Sequence, residues 1–504
     1  MGFEIASSLA LALLFAYASG ALFTDLLWPQ AHPLTLCRVR WWLGIGIGLG
    51  LSSCLALLWL VAYGRLSRGL IVVDALAVAV LVALRWRLKD EVSAGSVKLA
   101  EEQVSSHERG PRAMSAGPVK LAENRGDEIL RGGLCVAVVA GGVAYALFSL
   151  NSPHGTFDAW IIWNLRARYI FHGAEDWTIG LSRYFWAPDY PLLLPLSVAR
   201  CWEYIGRDTV LAPAAVALLF TSGTAGLLYS SLSFLRGREQ AMLGTLILIS
   251  APFFIAHGAH QYADVPLAFF FLATCVLFCL HDVARLNGDW RLVRLAGMMA
   301  ALAVWTKNEG GLFFAAIMLS RAAMTWRTGD WRAVWREAKS FFWGALPILL
   351  VVIYFKFRFA PPNDLVIAQN AETTAAKLSD ASRYLTVLRA YGVATINFGH
   401  EWYRYFSIGP ALLLAIHWAC FGIEPKARAR ASFVFSLLGL MLIGYLLVYV
   451  TTYFDLVWHL KSSLSRLLLQ LYPSALFAYF MIARGTEGGM KARSVSCAMA
   501  CKDG

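Results

Sequence analysis

The feature that most restricts this chain is its succession of long, nearly uncharged apolar runs. Thirteen can be marked, at 3–28, 41–63, 69–86, 132–150, 209–235, 240–257, 265–283, 292–306, 310–323, 340–359, 406–423, 432–452 and 464–484. Most approach the ~20 residues needed to cross a hydrocarbon core. Lipid offers no partner to a backbone N–H or C=O, so each run must close its hydrogen bonds within itself, as a helix. The sequence therefore predicts an all-α polytopic integral membrane protein, a helical bundle of about 13 transmembrane helices. With 58% of its 504 residues hydrophobic, the chain has little else from which to build a core.

The formal charge of +12 would suggest a nucleic-acid partner only if location were ignored. The basic residues flank the apolar runs, as topology signals do, and no nucleic acid is expected. Placing the N-terminus outside puts Arg38 and Arg40, the basic segment from Arg85 to Arg131, and the groups near Arg236, Arg291, Arg332, Arg428 and Lys491 on the inner side. The expected setting is the inner (cell) membrane, with multiple passes among its lipids. Cysteines such as Cys54, Cys135, Cys275, Cys279 and Cys420 lie inside apolar runs, where they serve as small hydrophobes. No histidine completes a ligand set around Cys275 and Cys279, and no metal site is expected there.

Four parts can be distinguished. Residues 1–90 read as accessory N-terminal transmembrane helices, with Gly44, Gly46, Gly48 and Gly50 permitting close helix approach. Residues 91–131 read as a cytoplasmic linker in which SAGSVKLAE (Ser93–Glu101) recurs as SAGPVKLAE (Ser115–Glu123). Residues 132–484 form the core, including a large outer loop at 151–208, and 485–504 form a cytoplasmic tail.

That loop opens as NSPHGTFDAWIIWNLRARYIFHGAEDWTIGLSRYFWAPDYPLLLP from Asn151. It is too polar to cross a bilayer and too aromatic for an idle solvated segment. Amphipathic rings favour the headgroup level, so a loop of short interfacial helices is expected. Three more polar features fall on the same side: HGAHQYADVPLAFF (His257–Phe270), WTKNEGG (Trp305–Gly311) and DLVWHLKSSLSRLLLQLYP (Asp455–Pro473). A longer loop, 360–405, carries Asp364, Asp380, His400 and Glu401. Each has a bland reading. Asp158 and Asp264 can cap helices, Lys307 and Glu309 can pair with each other, and Lys461 and Arg466 can snorkel to lipid phosphates. Together they set acids and cations at one membrane face on broken helices, where ionisable groups mark a substrate path.

Asp158 and Asp264 come from different loops and can converge. One carboxylate beside an acceptor nucleophile can take its proton, while nearby lysine and arginine neutralise a phosphate leaving group. This is equipment for moving a sugar off a lipid phosphate. FDAW followed by W-N-x-R-A (Phe157–Ala167), PDYPLLLP (Pro188–Pro195), QYADVPLAFF, TKNEGG and WHLKSSLSRLLLQLYP stand in an order that resembles the GT-C glycosyltransferases. The likeness is to bacterial membrane enzymes similar to protein O-mannosyltransferases and the lipid A aminoarabinose transferase. It implies inverting transfer from a polyprenyl-phosphate sugar to a lipid, glycan or protein acceptor on the outer, periplasmic face. On this basis Asp158 and Asp264 are the expected catalytic acids. Lys307, Arg466 and Lys461 are expected at the donor phosphate, and Trp160, Trp163, Asp189, Tyr190, Glu309 and His459 at the substrate. No cofactor is required, and a divalent cation is left open.

The chain departs from the family pattern where Ala159 replaces a second acid, where Ala187-Pro188 precede Asp189 in place of a histidine, and where Ser465 precedes Arg466. The alternatives are a transporter or flippase of lipid-linked saccharides, or a polymerase or ligase of them. Transport is disfavoured because no inverted repeat is visible and the polar features fall on one side only.

Overall fold

The computed structural model describes residues 2–29, 34, 37–100, 119–284, 288–326, 330–363, 371–399, 409–424 and 427–485, with side chains described except at 88–100, 119–125, 175, 371 and 429–430. In chain order the α-helices are α1 (Gly2–Leu27), α2 (Val39–Tyr63), α3 (Gly69–Ala100), α4 (Val119–Asn151), α5 (Asn164–His172), α6 (Leu193–Ile205), α7 (Leu211–Leu235), α8 (Arg238–Ile249) and α9 (Pro252–Ala259). They continue as α10 (Asp264–Ala284), α11 (Arg291–Thr306), α12 (Glu309–Trp326), α13 (Trp331–Arg358), α14 (Ala371–Ser379), α15 (Ala381–Asn397), α16 (Pro410–Phe421), α17 (Arg428–Thr451) and α18 (Leu456–Ile482). A π-helical turn at Ala159–Trp163 and a 3₁₀ segment at Ala174–Leu181 complete the loop after α4. The chain is an all-α polytopic membrane protein.

Each expected run holds a helix among the described residues, the run at 406–423 only from Pro410 to Phe421. Among the described residues, eight helices are long and apolar enough to span a bilayer, or nine if α8 and α9, bent by 64° at their junction, count as one. α11, 16 residues long, falls short because the chain breaks at Lys307-Asn308, α12 because its 18 residues include Glu309 and Arg321, and α18 because it carries Lys461, Arg466 and Gln470. The hydropathy is lowest where polar residues have work to do. The expected linker at 91–131 lies partly outside the described residues, α3 running through Ala100 and α4 starting at Val119. Asp364, His400, Glu401 and the tail from 486 also lie outside them.

α10 is the axis of the bundle: every residue from Asp264 to Leu280 is buried. It packs against α7, α11 and α18. Phe220 meets Phe269 and Phe270 edge-on, and Phe271 stacks on Phe313 with centroids 3.8 Å apart. The glycines of α2 divide between two faces. A Cβ on Gly48 would strike the Ala16 carbonyl of α1, while one on Gly46 or Gly50 would strike Phe269 of α10 or Leu302 of α11. The N-terminal pair is thus packed onto the core helices. By contrast α4 turns Val136, Val139, Val143 and Leu147 outward, which suits a lipid-facing helix.

Polar residues gather at both ends of α10. At its C-terminal end Arg321 holds Asp282 (2.7 and 2.9 Å) and Glu337 (2.7 and 2.9 Å), its guanidinium over Phe278 and Phe433. At its N-terminal end, about 27 Å away at 1.5 Å per residue, the expected site residues meet.

Candidate active site

The loop after α4 is drawn onto the α9–α10 turn by amide contacts. Asn164 Nδ2 donates to Gln261 Oε1 (2.7 Å) and to the His154 carbonyl (3.2 Å), and Gln261 Nε2 donates to the Pro153 carbonyl (3.1 Å). Gln261 holds φ +63°, a costly backbone for a non-glycine residue, which its two side-chain bonds offset. Gly155, at φ +73°, lets the strands of loop touch: a Cβ there would lie 2.5 Å from Ala159 Cβ and 2.6 Å from the His260 oxygen. Asp158 and Asp264 follow these contacts by a few residues on each side.

Asp264 is fully buried. Its Oδ1 accepts from Lys307 Nζ (3.0 Å) and Gln470 Nε2 (2.7 Å), and its Oδ2 from Arg466 Nε (2.9 Å). Arg466 Nη2 donates to Asp158 Oδ2, and Lys307 Nζ also pairs with Glu309 Oε1 (2.8 Å). Five charged side chains from four segments therefore form one chain of contacts, Asp158–Arg466–Asp264–Lys307–Glu309. Asp158 precedes the π-helical turn without making a side-chain capping bond, so its carboxylate serves Arg466 and not the helix end. Tyr262 lies under the Arg466 guanidinium (4.6 Å), and the Tyr190 ring is 5.9 Å from Lys307 Nζ. Burial, with Glu309 beside it, pushes the Tyr190 phenol above its ordinary range, so it stays a neutral donor.

The other expected residues divide. Trp163 is buried and stacks on Tyr190, while Trp160 is 59% exposed beside Asp158. Asp189 is buried and anchors the loop: its Oδ2 accepts from Asn308 Nδ2 (2.7 Å), Asn363 Nδ2 (2.8 Å) and Lys356 Nζ (3.2 Å). His459 bonds Thr452 Oγ1 through Nδ1 (2.9 Å), with Tyr449 and Phe454 against its ring. Lys461 is exposed on α18 and makes none of the described ion pairs. Among the described residues no three His, Cys, Asp or Glu side chains gather as a metal site would need.

Several partners went unread in the sequence. Gln470 stands one helical turn after Arg466, a spacing that could have revealed it. Tyr445 donates to its Oε1 (2.9 Å) and so orients its amide toward Asp264. Arg166 is buried among loop carbonyls, donating to Trp186 (2.9 Å), Ala187 and Tyr190 (3.4 Å). Burial pushes its guanidinium down to about 10 against the pull of Asp189, which leaves it charged at neutral pH. Only its depth explains why it holds the loop and not a ligand.

Residues 194–355, the segment from α6 into α13, match the family model of dolichyl-phosphate-mannose-protein mannosyltransferases. The match supports a membrane glycosyltransferase of the GT-C type. No curated protein and no solved structure matches the chain. The matched segment contains Asp264, Lys307 and Glu309. Asp158 precedes it and Arg466 follows it, and the ion-pair chain joins all three regions.

Proposed function

We propose that this protein is a glycosyltransferase of the GT-C type that moves a sugar from a polyprenyl-phosphate donor to a lipid, glycan or protein acceptor, with inversion, using Asp158 as general base. The observation that carries the reading is the convergence of Asp158 and Asp264 on Arg466, with Lys307 beside them. An acceptor O–H or N–H gives its proton to Asp158 as its lone pair attacks the anomeric carbon. The bond from that carbon to the phosphate oxygen breaks, and its electron pair leaves with the phosphate. Arg466 and Lys307 stabilise the charge that develops there.

The division of labour between the acids follows from their partners. Asp264 takes a hydrogen bond from both cations and from Gln470, and so fixes the two cations in place. Asp158 has Arg466 alone among the described ion pairs. Three carboxylates against two cations leave the cluster short of positive charge, so a donor phosphate must displace a carboxylate to bind. Asp158, at the rim, is the one that can move. Binding of the donor thereby frees the base.

Arg466→Lys is expected to weaken donor binding and slow transfer together, by roughly 10- to 100-fold, the scale of one hydrogen bond to a charged group. Lysine keeps the charge but cannot grip Asp264 and a second oxyanion through a rigid fork. Single-turnover transfer from a radiolabelled polyprenyl-phosphate sugar measures both quantities. Wild-type values in the variant would move the phosphate to Arg168 or the exposed Arg183.

We also place this site on the periplasmic or extracellular face, since lipid-linked donors are used where nucleotide sugars are absent. Cysteines at Thr178 and at Tyr184, which is 98% exposed, should react with an impermeant maleimide from outside in a background without the native cysteines. Cysteines placed in 101–115 should not. The reverse pattern would put every acid of the site in the cytosol and end the assignment.

A further inference from the structure

Between α1, α2 and α7 lies a groove of about 500 Å³, lined by Ala10, Leu13, Leu14, Tyr17, Trp41, Trp42, Ile45, Leu49 and Leu219. Its lining is almost wholly apolar, and its volume falls in the range of ~300–1,000 Å³ usual for small-molecule pockets. All three helices are membrane spans by length and composition. Leu14 and Trp41 are 59% and 45% exposed at the mouth, which therefore opens toward hydrocarbon. The groove is remote from the active site. The α1–α2 turn touches the start of α11, Arg291 Nη1 donating to the Trp28 carbonyl (3.4 Å), and the 16 residues of α11 then run about 24 Å to Lys307.

Cations stand over the same mouth. The Arg40 guanidinium lies 5.0 Å from the ring of Trp41, a wall of the groove. Its Nη1 pairs with Asp25 (3.0 Å), which also holds Arg85 (2.7 Å), while its Nε is buried with no hydrogen-bond partner among the described residues. Arg38 is exposed, three residues before Trp41 and four before Trp42, and so on their face of α2. Arg40 and Arg85 share one aspartate, and Arg38 stands two residues before Arg40, so the surplus is positive. An apolar groove under a cationic rim is complementary to a lipid of net negative charge, more than to one whose phosphate is balanced by its own cationic headgroup.

We infer that this groove is a binding site for an anionic phospholipid of the leaflet opposite the active site, one acyl chain lying along Leu13, Ile45 and Leu49 and the phosphate meeting Arg40 and Arg38. The tryptophans mark the headgroup level, with Trp42 Nε1 satisfied by Ser230 Oγ (2.9 Å). The bound lipid fills a face that packing between α1, α2 and α7 leaves open.

The test is native mass spectrometry of the full-length protein released from nanodiscs of phosphatidylglycerol and phosphatidylcholine with identical acyl chains. One phosphatidylglycerol should be retained in preference to phosphatidylcholine. Arg40→Gln and Arg38→Gln should each lower that preference roughly fivefold, the effect of one cation at an anionic membrane surface, and leave phosphatidylcholine retention unchanged. Ala10→Trp, at an exposed position on the groove wall, should abolish retention of both lipids while the melting temperature stays that of the wild type; Leu14→Trp is its companion. A wild-type protein with no preference, a preference that survives the double arginine variant, or lipid retained by both tryptophan variants would overturn the site.

Discussion

Asp158→Asn is expected to insert, fold and bind the lipid donor, while transfer falls by roughly 10²-fold or more, the usual scale for loss of a general base. Asparagine has nearly the shape of aspartate and caps a helix about as well. A capping role for Asp158 would therefore survive the change. The structure already shows that no side-chain cap bond is made there and that the carboxylate is turned to Arg466. The amide can still accept from Arg466, so the site should keep its shape and lose only its capacity to take a proton. Donor affinity should stay level or rise, because the phosphate no longer competes with a carboxylate for the guanidinium. Turnover within a few-fold of wild type would remove Asp158 from the chemistry and hand the role to Glu309, the other acid at the rim.

The second large effect is on stability. Asp264→Ala should be the most damaging single change in the site, lowering the free energy of unfolding by about 3–5 kcal/mol, the range for a buried ion pair that loses one partner. It takes from two largely buried cations the carboxylate they share, leaving Lys307 with Glu309 alone and Arg466 with Asp158 alone, and it leaves the Gln470 amide without its acceptor. Thermal unfolding in detergent, read by intrinsic fluorescence, measures it. Asp264→Asn should fall between, since it keeps an acceptor but not the charge. A purely catalytic acid would behave in the opposite way, with activity lost and stability kept. If Asp264→Ala melts with the wild type, its part as the anchor of both cations is wrong. Asp158→Ala, by contrast, should cost little stability, because Arg466 retains Asp264.

Two properties of lipid made much of this molecule readable in one dimension. A bilayer forces each apolar run to be a helix, and each of the thirteen holds one among the described residues. It also makes an intramembrane charge costly, so Asp158, Asp264, Lys307, Glu309 and Arg466 stand out against their surroundings wherever they fall. Their order along the chain was enough to suggest the family. What no local pattern carries is the partnership of residues far apart in sequence. Arg466 meets acids 202 and 308 positions earlier, and that pairing separates the saturated Asp264 from the singly held Asp158. Asp189, expected at the substrate from PDYPLLLP, is held by Asn308, Lys356 and Asn363, partners 119 to 174 positions away. Lys461 looked equivalent to Arg466, but five residues on a helix turn it to the exposed surface. The physical reason is the same in each case. The energy of a charge depends on depth and on neighbours, and in a bundle both are set by which helices pack together, not by which residues are adjacent in the chain.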